Sequence, residues 1–328
     1  MMPLSILDLS IVGEGETVAD ALASCVTLAR TAETNGYARV WYAEHHNMAA
    51  VASSATAVLI AHVAAQTDHI RLGSAGIMLP NHSPLVIAEQ FGTLASLHPG
   101  RIDLGLGRAP GTDQVTVRAL RRDPRAAEDF PRDVLEVQAF LGDQSRVPGV
   151  EATPGKGTHV PITILGSSLF GAELAGLLGV PFGFASHFAP AQLRDAVALY
   201  RATFRPSEQQ SEPYVLAGVN VIAADDADEA QHQFVQQRRA RLRRFLLRPG
   251  VEVSDEEVDR ILDSPQGASV ASMLTHTAVG TSEMVADQLA EFARYADADE
   301  LVVCHQSPRI DDRLRSVELT AKAVGLRG

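Results

Sequence analysis

Arg101-Ile102-Asp103-Leu104-Gly105-Leu106-Gly107-Arg108-Ala109-Pro110-Gly111 is the stretch on which the fold turns. A β-type apolar run passes into a glycine pair, as at a nucleotide-binding turn, but the third glycine of a dinucleotide fingerprint is missing. On both sides of it, short β-type runs alternate with longer segments of helical period, the pattern of a parallel sheet with crossover helices. The runs read as strands are Leu4–Leu9, Ala38–Tyr42, Ile70–Met78, Arg101–Gly107, Ile162–Gly166, Phe182–Ser186, Val215–Ala223 and Glu300–Cys304. They are spread over the whole length, no fingerprint follows the first, and no hydrophilic linker divides the chain. Closure is therefore favoured over an open doubly wound sheet. The expected α/β fold is a TIM-type (β/α)8 barrel, a single domain over residues 1–328, with insertions after the fourth helix and near the C-terminal strands.

The segments between strands carry helix start and stop chemistry. Val18, Ala21, Leu22, Cys25, Leu28, Ala29 and Ala32 recur at three- and four-residue steps, with Thr17 placed to cap and Gly36 to end the helix. Thr281 or Ser282 precedes Val285, Leu289 and Phe292 in the same way. Two stretches break the alternation. Gly142 to His159 is rich in Gly, Pro and charge and is expected to loop out. Arg248 to Ala278, with a capping-box pattern at Ser254 and Glu257, is a candidate lid.

Composition narrows the class. Hydrophobic residues make up 46% and charged residues 21%, enough for a sizeable core. With 28 Lys and Arg against 40 Asp and Glu, the net charge of −12 argues against a nucleic-acid partner. Cys25 and Cys304 are expected to be buried free thiols, and the N-terminal residues lack the basic region of a signal peptide, so a cytoplasmic location is expected. The uncharged run Asn47 to Thr67 is interrupted by Ser53, Ser54, Thr56, His62 and Gln66, which reads as a buried helix and not a membrane span.

In a β/α barrel the chemistry belongs at the C-terminal strand ends. The second strand ends in Trp41-Tyr42-Ala43-Glu44-His45-His46-Asn47, where a carboxylate and two imidazoles follow a buried run. A satisfied structural turn, a metal site and an acid/base site are all open. Acid/base chemistry is favoured, because imidazole moves protons near neutral pH and neither HExxH nor a second ligand cluster occurs. The third strand delivers Gly73-Ser74-Ala75-Gly76-Ile77-Met78-Leu79-Pro80-Asn81-His82, small residues that either pack tightly or let a flat ring approach. Leu165-Gly166-Ser167-Ser168-Leu169-Phe170-Gly171 opens a helix, and with Arg108 on the neighbouring strand end it forms a better phosphate site than a pair of simple N-caps. Met78 and His187 are candidates for the pocket lining, with a structural role open for each.

Taken together, these segments resemble the bacterial luciferase-like family of flavin-dependent monooxygenases. The resemblance is carried by Ala43-Glu44-His45-His46, Gly73 to Pro84, Ala88 to Leu94, Pro99 to Arg108, Leu165 to Ser168 and Thr277 to Thr281, in order along nearly the whole chain. It implies a barrel that takes FMN, as reduced flavin from a separate reductase, and frequently a homodimer. It also implies an oxygenation of a small organic substrate by dioxygen through a flavin C4a-peroxide. By position, His45 matches a catalytic base, with Glu44 or a backbone group setting its tautomer. Ala75-Gly76 matches an often cis peptide against the flavin ring, and Arg108, Ser167 and Ser168 match the phosphate site, with Gly171 in the same turn. Gly107 and Ser167 stand where luciferase has a reactive cysteine and a glutamate, so light emission is not implied. The rivals are a deazaflavin (F420)-dependent hydride-transfer enzyme on the same barrel, a flavin-binding protein without turnover and, third, a metal hydrolase.

Overall fold

A computed structural model describes every residue except 1, 14, 110, 124, 248–252 and 328. In chain order the described residues form β1 (Leu4–Asp8), α1 (Val18–Thr34), β2 (Arg39–Tyr42), α2 (Thr56–Ala64), β3 (Arg71–Met78), α3 (Pro84–Leu97), β4 (Ile102–Gly107), α4 (Gln114–Ala119), α5 (Phe130–Leu141), β5 (Ile162–Gly166), α6 (Leu169–Leu178), β6 (Phe182–Phe184), α7 (Leu193–Thr203), β7 (Val215–Ala223), α8 (Ala227–Leu246), α9 (Asp255–Leu262), α10 (Ala268–Ser272), β8 (Thr277–Gly280), α11 (Ser282–Ala296), β9 (Glu300–His305) and α12 (Ile310–Val324). Strands β1 to β7 pair in sequence order, β7 pairs β9, and β9 returns to β1, every ladder parallel. The result is a closed (β/α)8 barrel made of the eight strands expected from sequence.

β8 is a ninth strand that the sequence reading left in the insertion. It pairs with Asn220–Ala223, on the edge of β7 that β6 uses nearer its start. Four residues, Thr-Ala-Val-Gly, are too few for periodicity to register, and the partner strand alone makes them a strand. The run 47–67 is also a shorter helix than expected: only Thr56–Ala64 is helical, and the residues before it form an extended turn tied down by Ala52 N–H to Ser10 O, 2.9 Å. Helix α1 starts as expected, with a reciprocal capping box between Thr17 and Asp20, and Gly36 beyond its end has φ +78°. The segment between α5 and β5 loops out, as its composition suggests.

Side-chain alternation layers the barrel interior. At the N-terminal end Arg39 bridges Asp103 and Glu300, each at 3.1 Å, while Arg71 also meets Asp103 and Tyr214 donates to Glu300. This charged plug closes the bottom. Above it, Leu7, Trp41, Leu216 and Val302 form an apolar layer with Leu165 packed against it. Trp41 and Leu165 are large, and their neighbours are correspondingly small: a Cβ on Gly73 would stand 2.8 Å from Trp41 Nε1, and one on Gly183 would overlap Leu165 Cδ2. Outside the strands, a continuous apolar shell including Ile6, Val40, Leu72, Leu104 and Ile164 packs against the helices. Among the described residues no helix is long and apolar enough to cross a membrane.

Candidate active site

Glu44 is the hub of the turn after β2. It is 1% exposed, and its carboxylate accepts from Met78 N–H at 3.0 Å, faces His46 Nε2 at 2.9 Å and faces His82 Nε2 at 2.8 Å. Burial by itself would raise its pKa, but the bonds from His46 and His82, the His82 charge and the Met78 N–H prevail and hold it at about 2. The same contact raises His46 above its ordinary value. Both imidazoles spend Nε2 on the carboxylate itself, and among the described residues no group of three side chains is placed to hold a metal ion. Glu44 therefore makes no direct bond to His45, so of the two groups expected to set the His45 tautomer, Glu44 or a backbone group, the carboxylate does not do so by contact. Its part is to anchor the turn.

His45 is held by its backbone, which donates to Ser53 O at 3.0 Å, while its Nδ1 is buried without a hydrogen-bond partner. Burial lowers its pKa, with Glu44 acting in the opposite sense and His46 and Arg244 adding to the lowering. A neutral imidazole at the barrel mouth is thus available to take a proton. His187, after β6, is also neutral, because burial and then the nearby Arg241 and His45 push it down to about 3. It lines a cavity with Leu7, Trp41, Ala75, Leu165, Phe184 and Val302. Of the two pocket candidates, His187 lines this cavity and Met78 does not: the Met78 sulfur packs instead over Gly107, 3.0 Å from where a Cβ would sit.

The Ala75–Gly76 peptide is cis, as the resemblance implies, and the β3–β4 register shifts between Ser74 and Ile77. The glycines here answer first to the barrel itself. A Cβ on Gly76 would lie 2.9 Å from Gly105 O, and one on Gly105 would lie 2.1 Å from Ser74 O, so close strand packing alone demands both residues. Ala75, by contrast, faces the cavity.

Arg108, just past β4, is exposed and lies over the Phe170 ring, its guanidinium carbon 4.1 Å from the ring centre. Phe170 is in the first turn of α6, so the two segments paired from sequence do converge. Ser168 is the N-cap residue, yet its side chain makes no capping bond, and among the described residues neither serine hydroxyl is spent elsewhere. The simple N-cap role is thereby set aside. Gly171 is buried one turn further in, 3.5 Å from Phe182 by its absent Cβ, and supports the helix against the strand.

His82 is the residue that sequence reasoning missed. It caps the Leu79–Asn81 turn, but its imidazole turns back to Glu44, and no local signal announces a bond across 38 residues. The described part of the candidate lid packs against α8: Arg239 pairs with Asp255 and Asp259, and Leu242, Val258, Leu262 and Val270 form a small core. Its first five residues, 248–252, lie outside the described residues.

Comparison with known proteins places these features in a family. Residues 2–299 match the family described as luciferase-like monooxygenase. The chain is 49% identical to the uncharacterised protein YvbT of Bacillus subtilis (strain 168), over 97% of this chain and 95% of that one. It is 46% identical to a luciferase-like monooxygenase of Escherichia coli (strain K12), over 96% and 95%, and 33% identical to N-acetyl-S-alkylcysteine monooxygenase of B. subtilis (strain 168), over 99% and 98%. Among solved structures, apo-MsnO8 superposes with a TM-score of 0.85 at 34% identity, covering 99% of both chains. Two more distant structures share the fold: the oxygenating constituent of 3,6-diketocamphane monooxygenase from Pseudomonas putida in complex with FMN (TM-score 0.74, 16% identity, 98% and 97% covered) and an F420-dependent secondary alcohol dehydrogenase (0.70, 17%, 98% and 99%). Matched over nearly its full length, and with the turn, the cis peptide and the α6 entry all where the resemblance requires them, the chain belongs to the luciferase-like monooxygenase family.

Proposed function

We propose that the protein is a monooxygenase that uses reduced FMN, supplied by a separate reductase, and dioxygen to oxygenate a small organic substrate. The observation that carries this reading is the anion corner where Arg108 meets the first turn of α6 with Ser167 and Ser168 unspent. A helix start presents unpaired N–H groups and the positive end of its dipole, and a guanidinium adds forked donors, a donor set that suits a phosphate. The apolar cavity beside it, with Ala75 on its wall, suits a planar ring system. The family's fold neighbours that carry FMN or F420 support a flavin-type cofactor.

Reduced FMN, when bound, supplies the activation of dioxygen. The chain's own part is positioning, proton handling and exclusion of water. Arg108 and the α6 entry anchor the phosphate. His45, neutral through burial, accepts and returns a proton at the mouth, and the Glu44 hub keeps its turn in place. Trp41, Leu165 and Phe184 keep water from the cavity.

Fluorescence titration of the purified protein with FMN, riboflavin and F420 tests this. FMN is expected to bind, and Arg108→Ala to weaken FMN by about tenfold or more while leaving riboflavin, which has no phosphate, unchanged. Tight binding of F420 in place of FMN would transfer the protein to the hydride-transfer reading. Flavin binding with no substrate-dependent oxygen consumption would make it a flavin-binding protein without turnover.

A further inference from the structure

Strand β7 carries two cavities, lined by adjacent residues: Gly218 lines the inner one, and Val219, which faces the outer apolar shell, lines a second of about 300 Å³ outside the barrel wall. The ladders explain the opening. β6 pairs with Val215–Ala217 and β8 begins its pairing at Asn220, so Gly218 and Val219 belong to neither ladder on that edge. Helix α11 roofs the gap with Gln288, Glu291, Phe292 and Tyr295, which share one helix face at three- and four-residue steps.

Three aromatic rings meet there. His276 lies 4.8 Å from Phe292 and 5.5 Å from Tyr295, centre to centre, and its imidazole makes no hydrogen bond among the described residues. Burial lowers the His276 pKa, so the ring adds no charge at neutral pH. The other polar side chains of the lining offer acceptors. Thr275 and Thr277 give their hydroxyl protons to Ser272 O and Leu274 O, each at 2.7 Å, and keep lone pairs for the cavity. Gln288 spends its amide on Val279 N–H, Val279 O and Met284 O. Glu291 is exposed, and its carboxylate pairs with no cation among the described residues. Among the lining side chains the Tyr295 hydroxyl and the His276 imidazole alone can donate freely, and both can equally accept.

Acceptors set among aromatic faces select a donor-rich cation. The cluster already holds one: the Arg194 guanidinium, reaching from α7, lies 5.6 Å from the centre of the Tyr295 ring. A net charge of −12 favours the approach of a further small cation. We infer that this outer cavity binds a small organic ammonium ion, whose charged head meets Glu291 and the Tyr295 face while its apolar body packs on Phe292, Val219 and Ala278. The cavity lies outside the barrel wall, so its occupant is neither the flavin nor the substrate of the reaction proposed above.

The test titrates the protein, with and without saturating FMN, with benzylammonium and with its uncharged and anionic analogues, benzyl alcohol and benzoate. Histidine ring signals in NMR report the site, with His276 assigned by the signal lost in His276→Gln. Benzylammonium should shift the His276 signal and bind about tenfold or more tightly than benzyl alcohol, with benzoate the weakest. Two exposed charges should act in opposite senses. Glu291→Gln should abolish the preference for the cation, and Arg194→Gln should tighten benzylammonium by about threefold, by freeing the ring and removing a like charge. Both side chains are exposed, so the fold tolerates either substitution. FMN should leave the affinity within about twofold. Benzyl alcohol that binds as tightly as benzylammonium, a preference that survives Glu291→Gln, or no shift of His276 at about 10 mM of the cation would overturn the inference. So would binding that FMN displaces, because the ligand would then occupy the flavin cavity.

Discussion

His82 Nε2 lies 2.8 Å from Glu44 Oε1 and 3.0 Å from Glu44 Oε2, across 38 residues of chain. Glu44 follows β2 and His82 follows β3, so the contact joins two neighbouring strand ends at the barrel mouth. With His46 and the Met78 N–H on the same carboxylate, it holds the turn that carries His45.

Glu44→Gln should cost about 3 kcal/mol at neutral pH, because it leaves two imidazoles and an N–H facing an amide. Folded Glu44 is held at about 2 against an ordinary 4.5, so its contribution is present above about pH 4.5 and is lost as the pH falls toward 2. Denaturant midpoints of variant and wild type should therefore converge in acid. A gap of constant size from neutral pH down to about pH 2 would show that the carboxylate charge is not its source.

His45→Gln should retain FMN affinity and lose turnover by about a hundredfold or more, the usual weight of a general base. Burial lowers the His45 pKa, so the wild-type rate should hold down to below 6.5 and fall only as the imidazole takes its proton. The acid limb in an oxygen-electrode profile should vanish in the variant. A limb that survives the substitution assigns the titration to another group.

His305 offers a separate test of acid stability. It is 5% exposed, burial pushes it down to about 3 from an ordinary 6.5, and its Nδ1 meets Ser316 Oγ at 2.8 Å. Below about pH 6.5 the unfolded chain takes up a proton that the folded chain refuses, so stability falls by about 1.4 kcal/mol per pH unit per such histidine until the folded value is reached. His305→Gln should flatten that slope by one proton between pH 6 and pH 4. An unchanged slope would mean that His305 is protonated in the fold.

Gly105→Ala should destabilise by about 1–3 kcal/mol, since its Cβ would be driven to 2.1 Å from Ser74 O in a ladder already closed by Ser74 Oγ to Gly105 O at 2.9 Å. Gly100→Ala is the control. It has φ +76° with nothing within 4 Å, and should cost only about 1 kcal/mol of backbone strain. Equal midpoints for the two variants would remove the steric account of the β3–β4 approach.

How much of this was legible beforehand differs from residue to residue. The eight strands of the ring were, because a barrel strand buried on both faces is a short apolar run bounded by turn residues, and that pattern is local. The approach of Arg108 to the α6 entry was legible for a related reason: neighbouring strands in a parallel barrel bring their C-terminal ends together. The glycines of β3 and β4 were ambiguous between ring access and tight packing, and the backbone of the neighbouring strand, with Trp41 and Leu165 also within reach, decided for packing. Helix α8 carries Arg238, Arg239, Arg241, Arg243 and Arg244, and nothing local in the run distinguishes one from another. Packing sorts it: Arg239 and Arg243 meet Asp255, while Arg241 is buried and makes no ion pair.

The sequence by itself thus determined the barrel, its strand order and the end at which chemistry collects, because periodicity and turn residues act between near neighbours. Only the tertiary structure decided that Glu44 serves His46 and His82 and not His45, that Thr277–Gly280 becomes a ninth strand, and which arginines of α8 pair with Asp255. Those outcomes depend on which distant groups share a desolvated space, where a missing or present partner is worth several kcal/mol.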